Sequence, residues 1–210
     1  LAMTFILMVT RRIGESERFL REGKWLQGRM DLGTTVKGKR LGILGLGRIG
    51  KAVARRAEAF GLHIQYFDIK PMGDLTYRAD PTLIDLAKAS DILLVTCEGG
   101  EANRGLVSAE VLDALGPDGF LVNTARGPII DEPAMVKALK EGRIAGAGLD
   151  VFDREPIVPE ELMAMENVVL TPHIASSTHE TRRAMGDLVF DNLHAHFNGK
   201  PVLTPVPPQI

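Results

Sequence analysis

The chain has 210 residues, of which 45% are hydrophobic and 25% are charged, and its formal net charge at pH 7 is −2. This composition suits a globular protein with a buried core, and the small net charge disfavours nucleic acid and anionic membranes as partners. The single cysteine excludes an internal disulfide and argues against a cysteine-built metal site, so we expect no metal and a reducing, cytoplasmic setting.

Residues 1–9 are almost wholly apolar, but this run is shorter than the about 20 residues that cross a bilayer. It lacks a basic leader and an obvious cleavage site, so no signal peptide is expected. The pattern predicts one helix over residues 1–23, weakened or bent at Gly14. No capping residue precedes Leu1, so we expect the chain to begin inside a helix, as a fragment would.

The apolar helix at residues 1–9 is difficult to bury against a single sheet, and Trp25 adds a large apolar side chain beyond it. An exposed apolar patch of this kind usually marks a contact surface. We therefore predict a homodimer in which residues 1–24 form a helical arm at the interface.

After a glycine-containing connection, apolar runs alternate with helical patterns. The predicted strands are residues 40–44, 64–67, 92–96, 120–123, 147–151 and 168–171. The predicted helices are residues 48–60, 83–89, 109–115, 132–141, 159–165 and 177–197. Continuous apolar strands alternating with helices indicate an α/β fold, a doubly wound parallel sheet of about six or seven strands.

The first predicted strand runs into the glycine turn GLGRIG at residues 45–50 and then into a helix. Gly45 allows a tight turn, Gly47 lets the backbone approach a pyrophosphate, and Gly50 lets the helix lie close to the strand. The helix start near Arg48 directs unpaired N–H groups and a partial positive charge at the phosphates. An ordinary strand-to-helix turn is the alternative, but the surrounding pattern favours a dinucleotide site.

Asp68 follows Gly50 by eighteen residues and ends the second predicted strand. Its carboxylate can accept hydrogen bonds from an adenosine ribose and would repel a 2′-phosphate, so NAD is predicted over NADP. Lys70, two residues further on, could soften that repulsion.

Three polar residues follow the ends of later strands, where ligands of such sheets bind. Arg126 can hold a substrate carboxylate and polarise its ketone, and His173 can donate a proton to the carbonyl oxygen as hydride arrives. Glu155 can orient the histidine and favour its protonated form. Together they predict reversible reduction of a small 2-oxo acid to a 2-hydroxy acid.

Each of these residues also has a simpler interpretation. Arg126 could form a surface salt bridge, Glu155 could only fill a polar loop, and His173 could cap the next helix. Their common location at strand ends favours the catalytic interpretation, because loops on a rigid sheet often carry functional groups.

Four segments give the chain a clear resemblance to the D-isomer-specific 2-hydroxyacid dehydrogenases, and specifically to their nucleotide-binding part. They are residues 45–50 (GLGRIG), 121–132 (LVNTARGPIIDE), 146–156 (GAGLDVFDREP) and 171–178 (TPHIASST). The resemblance covers nearly the whole chain and implies a Rossmann-type fold, a homodimer, and the roles given above for Arg126, Glu155 and His173.

The same resemblance implies further contacts with the cofactor. Arg48 and Ile49 would meet the pyrophosphate through their backbone. Three residues would line the nicotinamide side, namely Cys97, Thr124 and Ala125, and Asp150 would lie near the carboxamide. A small buried apolar role for Cys97 remains compatible with this.

The resemblance also implies a domain division. Residues 25–198 would form the NAD-binding domain, and residues 199–210 an extended tail belonging to the substrate domain. The family has a long preceding segment that supplies most of the substrate domain and is absent from this sequence, so catalysis by the chain alone should be impaired.

Two features bear on the branch of the family. Formate dehydrogenases of similar fold carry glutamine at the position of Glu155, so formate oxidation is disfavoured. The loop at residues 97–100 lacks the proline-rich sequence of many members and resembles glyoxylate/hydroxypyruvate reductase-like variants. An NAD(H)-sensing module similar to a transcriptional corepressor is the alternative function, and a folded but inactive piece is a third.

Overall fold

A computed structural model describes residues 1–69 and 76–206; Lys70 lies outside them, so its influence on cofactor choice stays a prediction. The chain forms two compact units, Leu1–Pro172 and His173–Ile210. The first unit contains the sheet and most of the helices, and the second contains one long helix and the tail.

Within the described residues, seven strands form the sheet of the first unit: β1 (Arg40–Leu44), β2 (His63–Phe67), β3 (Arg78–Ala79), β4 (Ile92–Val95), β5 (Phe120–Asn123), β6 (Gly146–Leu149) and β7 (Val168–Leu170). All neighbouring pairs are parallel, and their order across the sheet is β3-β2-β1-β4-β5-β6-β7. The predicted doubly wound sheet is confirmed. Only β3 has no predicted counterpart, because two exposed residues make no apolar run.

Seven α-helices belong to the described part of the first unit: α1 (Ala2–Thr10), α2 (Ile13–Arg21), α3 (Arg48–Ala59), α4 (Leu83–Lys88), α5 (Ala109–Leu115), α6 (Glu132–Lys140) and α7 (Glu160–Ala164). Side chains cap the starts of two of them. The Thr82 hydroxyl accepts the N–H of Asp85, and the Asp131 carboxylate accepts the N–H of Ala134. Such caps satisfy backbone donors that a helix start leaves unpaired.

Helices cover both faces of the sheet, so the side chains of successive residues in a strand pack into hydrophobic clusters on opposite faces. Leu93 and Leu121 are fully buried in the cluster that contains residues of α4, α5 and α6. Leu94 and Val122 are fully buried in the opposite cluster, with residues of α1 and α3. This two-sided burial explains why the central strands are continuous apolar runs rather than alternating ones.

The first helix packs on the sheet, contrary to the expectation that it would be difficult to bury there. Phe5 and Ile6 are completely buried, and α1 contacts β5, β6 and β7. Gly148 of β6 makes the fit possible, since a Cβ atom there would lie 2.8 Å from Cβ of Phe5. The apolarity of residues 1–9 is therefore explained inside this unit, and it no longer supports a dimer.

The prediction of one helix over residues 1–23 is wrong, because the backbone breaks between α1 and α2. Arg12 adopts a left-handed conformation with φ of 54°. The carbonyl of Thr10 accepts the N–H of Thr34 at 2.7 Å, so a distant segment satisfies the end of α1. Gly14, the predicted weak point, lies inside α2 instead.

The second unit contains α8 (His179–Phe197), whose start is capped by the Thr178 hydroxyl accepting the N–H of Thr181. The tail returns to this helix. Asn192 donates to the Thr204 hydroxyl at 2.9 Å and accepts the Thr204 N–H at 3.1 Å. Among the helices in the described ranges, none combines the length and apolarity needed to cross a membrane.

Candidate active site

Strand register brings several loops to one edge of the first unit. Leu44 pairs with Val95, Val95 with Asn123, and Asn123 with Leu149, so these strands end at the same level. Because the strands are parallel, the segments that follow them emerge side by side. All the predicted site residues of this unit lie on those segments or on the one that follows β2.

The glycine turn has the close packing that its sequence requires. Gly45 has φ of +90°, and its N–H donates to the carbonyl of Phe67 at 2.9 Å. A Cβ atom at Gly45 would lie 2.5 Å from Cα of Cys97, and one at Gly50 would lie 2.5 Å from the Gly45 carbonyl oxygen. At Gly47, by contrast, none of the described atoms lies within 4 Å of such a Cβ. The turn is thus tightly packed at Gly45 and Gly50 and open at Gly47.

Helix α3 begins at Arg48, immediately after the open glycine. The first N–H groups of any α-helix have no acceptor within the helix, and they carry the positive end of its dipole. Ile49 in this first turn is 59% exposed. Gly47, Arg48 and Ile49 are all exposed, so the first turn of α3 is accessible to an anionic group.

The carboxylate of Asp68 lies directly beside this turn. Its Oδ2 accepts the N–H of Leu46 at 2.8 Å, so the acid and the glycine turn are held together. Asp68 shares a cleft of about 240 Å³ with Gly45, Gly47 and Cys97. The carboxylate of Asp68 therefore lies at the end of β2, next to the first turn of α3.

A larger cavity of about 550 Å³ adjoins that cleft at the ends of β4 and β5. Its wall includes Cys97, Thr124, Ala125 and Arg126. The buried hydroxyl of Thr124 has no hydrogen-bond partner among the residues that the structure describes, which is unusual for a buried polar atom. Desolvation raises the pKa of the Cys97 thiol to about 11, so this group is neutral near pH 7 and serves as wall rather than as nucleophile.

Asn123 braces the loop that carries Arg126. Its Oδ1 accepts the N–H of Ala125 at 2.9 Å, and its Nδ2 donates to the carbonyl of Arg126 at 3.0 Å. The guanidinium Nη1 donates to the carbonyl of Ala125 at 2.6 Å. Asn123 is completely buried and was missed by sequence reasoning; an amide at the end of an otherwise apolar strand was the available signal.

Asp150 and Glu155 follow β6. The Asp150 side chain is fully buried, and its Oδ1 accepts the hydroxyl of Thr171 at 2.5 Å. Glu155 Oε1 accepts the N–H of Phe152 at 3.1 Å. Both carboxylates are thus fixed by neighbours at the same edge of the sheet.

Two further residues hold the loop after β6, and sequence reasoning missed both. Glu132 Oε2 accepts the N–H of Asp153 at 3.0 Å, and Arg104 donates to the Asp153 carboxylate at 3.2 Å. Arg104 also lines the 550 Å³ cavity. The sequence does not show that either residue reaches the loop after β6, because both contacts join segments far apart in sequence.

His173 opens the second unit, with φ of 52°, a left-handed conformation uncommon for any residue other than glycine. The structure therefore brings together the glycine turn, Asp68, Cys97 and the 124–126 loop within the first unit, with Asp150 and Glu155 after the next strand. The meeting of His173 with Glu155 stays a prediction, because these residues belong to different units.

The residues at this edge of the sheet are suited to bind a dinucleotide in the predicted way. The open space at Gly47 and the N–H donors of α3 match a phosphate, and the adjacent carboxylate matches a ribose. The Thr124 hydroxyl, which has no partner among the described residues, matches a further polar group.

Comparison with known proteins gives a consistent result. Residues 3–175 match the family described as D-isomer specific 2-hydroxyacid dehydrogenase, NAD binding domain. A glyoxylate/hydroxypyruvate reductase A from Arabidopsis thaliana is 55% identical, over 98% of this chain and 66% of its own length. A 2-ketogluconate reductase from Gluconobacter oxydans is 44% identical with the same coverage of both chains.

A solved structure is equally similar. The NADPH-dependent glyoxylate/hydroxypyruvate reductase from Sinorhizobium meliloti, in complex with NADP and malonate, is 47% identical with a TM-score of 0.93. That comparison covers 98% of this chain and 65% of the solved one. The chain thus spans just under two thirds of the length of these relatives.

Proposed function

We propose that this chain, which belongs to the D-isomer-specific 2-hydroxyacid dehydrogenase family, provides the cofactor site and the catalytic side chains of an NAD-dependent reductase of small 2-oxo acids. The observation that carries the proposal is the convergence of the glycine turn, Asp68 and the Arg126 loop at one edge of the sheet. The activity assigned here is that of the complete natural protein.

Backbone groups would hold the phosphates of the dinucleotide, and side chains would hold its other parts. Gly45, Gly47 and Gly50 shape the turn, and the N–H groups of Arg48 and Ile49 would donate to the pyrophosphate. Asp68 would accept hydrogen bonds from the ribose hydroxyls. The nicotinamide would be surrounded by Cys97, Thr124, Ala125 and Asp150. When bound, the cofactor supplies the hydride for C2 of the oxo acid.

The side chains of the protein then bind the substrate carboxylate and transfer the proton. Arg126 binds the substrate carboxylate and polarises the ketone through paired N–H donors. His173 donates a proton to the carbonyl oxygen, and Glu155 orients the imidazole and favours its charged form. In the opposite direction His173 takes the proton from the hydroxyl of the hydroxy acid.

A substrate panel on the complete natural protein tests the proposal. Glyoxylate, hydroxypyruvate, 2-ketogluconate and larger 2-oxo acids would each be mixed with NADH or NADPH, and oxidation of the cofactor followed by absorbance. We expect at least one of these acids to be reduced with multiple turnovers. Tight NADH binding without turnover of any acid would contradict the enzymatic proposal.

We also propose that the cofactor is NAD and that the protein is cytoplasmic. The negative charge of Asp68 beside the glycine turn supports the first, since it would repel a 2′-phosphate. The single cysteine of the chain, which leaves no disulfide to form within it, suits the second. NADP is the ligand of the bacterial relative.

Replacement of Asp68 by asparagine tests cofactor choice. Asparagine keeps an oxygen that can accept the Leu46 N–H but removes the charge that repels a 2′-phosphate. We expect the ratio of kcat/KM for NADH over NADPH to fall by about tenfold or more, since a hydrogen bond to a charged group contributes about 1.5–3 kcal/mol. Asp68→Ala, which also removes the hydrogen bond to the Leu46 N–H, should lower the affinity for both NADH and NADPH. An unchanged ratio in Asp68→Asn would contradict the assignment.

A homodimer remains our proposal, and it now rests on the exposed apolar residues that follow α2 rather than on residues 1–9. Trp25, Leu26 and Leu32 follow α2 and are 68%, 95% and 93% exposed. We expect the natural protein to be a dimer at micromolar concentration by light scattering, and Leu26→Asp to weaken it at least tenfold. Ile84→Asp, at an exposed position on α4 on the other face of the sheet, is the control. A monomeric natural protein would contradict the proposal.

A further inference from the structure

The stem of Arg126 lies directly on Gly99. This glycine belongs to the loop after β4, in the segment that departs from the proline-rich pattern of many family members. A Cβ atom at Gly99 would lie 2.7 Å from Cγ of Arg126, 3.3 Å from its Cβ and 3.8 Å from its Cδ. A methyl group there would therefore overlap the beginning of the arginine side chain rather than its flexible end.

The backbone of Arg126 has little freedom to move away. Its carbonyl is held by the Asn123 amide at 3.0 Å. On its other side, a Cβ atom at Gly127 would lie 1.9 Å from the carbonyl of Phe152, so the two backbones are in close contact there. The loop that carries Arg126 is thus braced from both ends.

The backbone of the Gly99 loop is also held. The Asn103 side chain donates to the carbonyl of Glu98 at 2.8 Å, and the Asn103 N–H donates to the carbonyl of Gly100 at 3.0 Å. These bonds close the loop on both sides of Gly99. A methyl group at position 99 would lie between two fixed backbones, and the arginine side chain is the part that can yield.

We propose that Gly99 is a positioning residue that sets the direction of the Arg126 guanidinium in the substrate cavity. Because Gly99 has no side chain, the aliphatic part of Arg126 packs directly on the backbone of the loop. This packing fixes the direction in which the guanidinium extends. The inference rests on the proposed function, in which Arg126 holds the carboxylate of the 2-oxo acid. Gly99 lies in the wall of the same cavity, beside Arg126, and in the proposed arrangement its effect on the substrate is exerted through the arginine.

Gly99→Ala in the complete natural protein tests the inference. We expect the KM for the 2-oxo acid to rise at least tenfold, with a smaller change in kcat and with the dissociation constant for NADH within twofold of its original value. Gly28→Ala is the matched control, since Gly28 is exposed and none of the described atoms lies within 4 Å of its Cβ position. This control should leave both constants unchanged.

A double-mutant cycle separates positioning from general damage to the loop. If Gly99 acts through Arg126, Gly99→Ala should cause no further loss in an Arg126→Ala background. An additive loss, an unchanged KM, or an equal loss of NADH affinity would each overturn the inference. If Arg126→Ala alone leaves the KM unchanged, the proposed function of Arg126 fails instead, so the two failures are distinguishable.

Discussion

Replacement of His173 by alanine is expected to lower the turnover of the complete natural protein by about 10²- to 10⁴-fold, the usual contribution of a positioned general acid or base. Affinity for NADH should stay within twofold, because the glycine turn, Asp68 and the 124–126 loop all lie outside the second unit. Steady-state rates with the best 2-oxo acid and a fluorescence titration with NADH measure the two quantities separately.

His179→Ala is the matched control for this prediction. His179 is exposed at the start of α8, six residues after His173, and the proposed mechanism gives it no role. Its replacement should leave the rate within about twofold of the original. If His173→Ala keeps most of the activity, or loses activity only in proportion to lost NADH binding, the acid/base role is wrong.

The central part of the fold could be predicted from the sequence because its signals are local. Strands β1, β4 and β5 are short runs of buried side chains, and each is followed by a turn residue or a polar loop. The glycine turn was predicted on the same local grounds. Its packing agrees with the expectation that Gly45 makes a tight turn and that Gly50 lets α3 approach the strand.

The N-terminal region could not be predicted in the same way, because its structure depends on distant residues. The break after α1 is stabilised by the N–H of Thr34, and the burial of Phe5 depends on the absence of a side chain at Gly148. No window of neighbouring residues contains either relation. The pattern of residues 1–9 predicted an apolar helix at an interface, whereas the sheet of its own unit covers it.

The candidate site was predictable for the residues that would contact ligands and much less so for those that support them. Arg126 and Glu155 stand out because they follow apolar strands. Asn123, Glu132 and Arg104 brace the same loops through hydrogen bonds between segments far apart in sequence. The residues proposed to contact ligands follow from the order of the strands, whereas the supporting residues depend on hydrogen bonds between segments far apart in sequence.

Burial of α1 against the sheet leads to the second large prediction, which concerns stability. Phe5 is completely buried, and its Cβ and Cγ lie 2.8 and 2.9 Å from where a Cβ atom of Gly148 would be, so the side chain packs directly on β6. Phe5→Ala should therefore lower the free energy of unfolding by about 3–5 kcal/mol, the range for removal of a buried aromatic side chain. Denaturant unfolding followed by circular dichroism measures this difference.

Phe60→Ala is the matched control, because the same side chain is removed from the end of α3, where it is 46% exposed. We expect a loss of about 1–2 kcal/mol there, in proportion to the smaller area removed from water. Equal losses for the two variants would mean that α1 is not part of the cooperative core. The apolar residues 1–9 would then need another surface to cover them, and the original case for an interface at this helix would return.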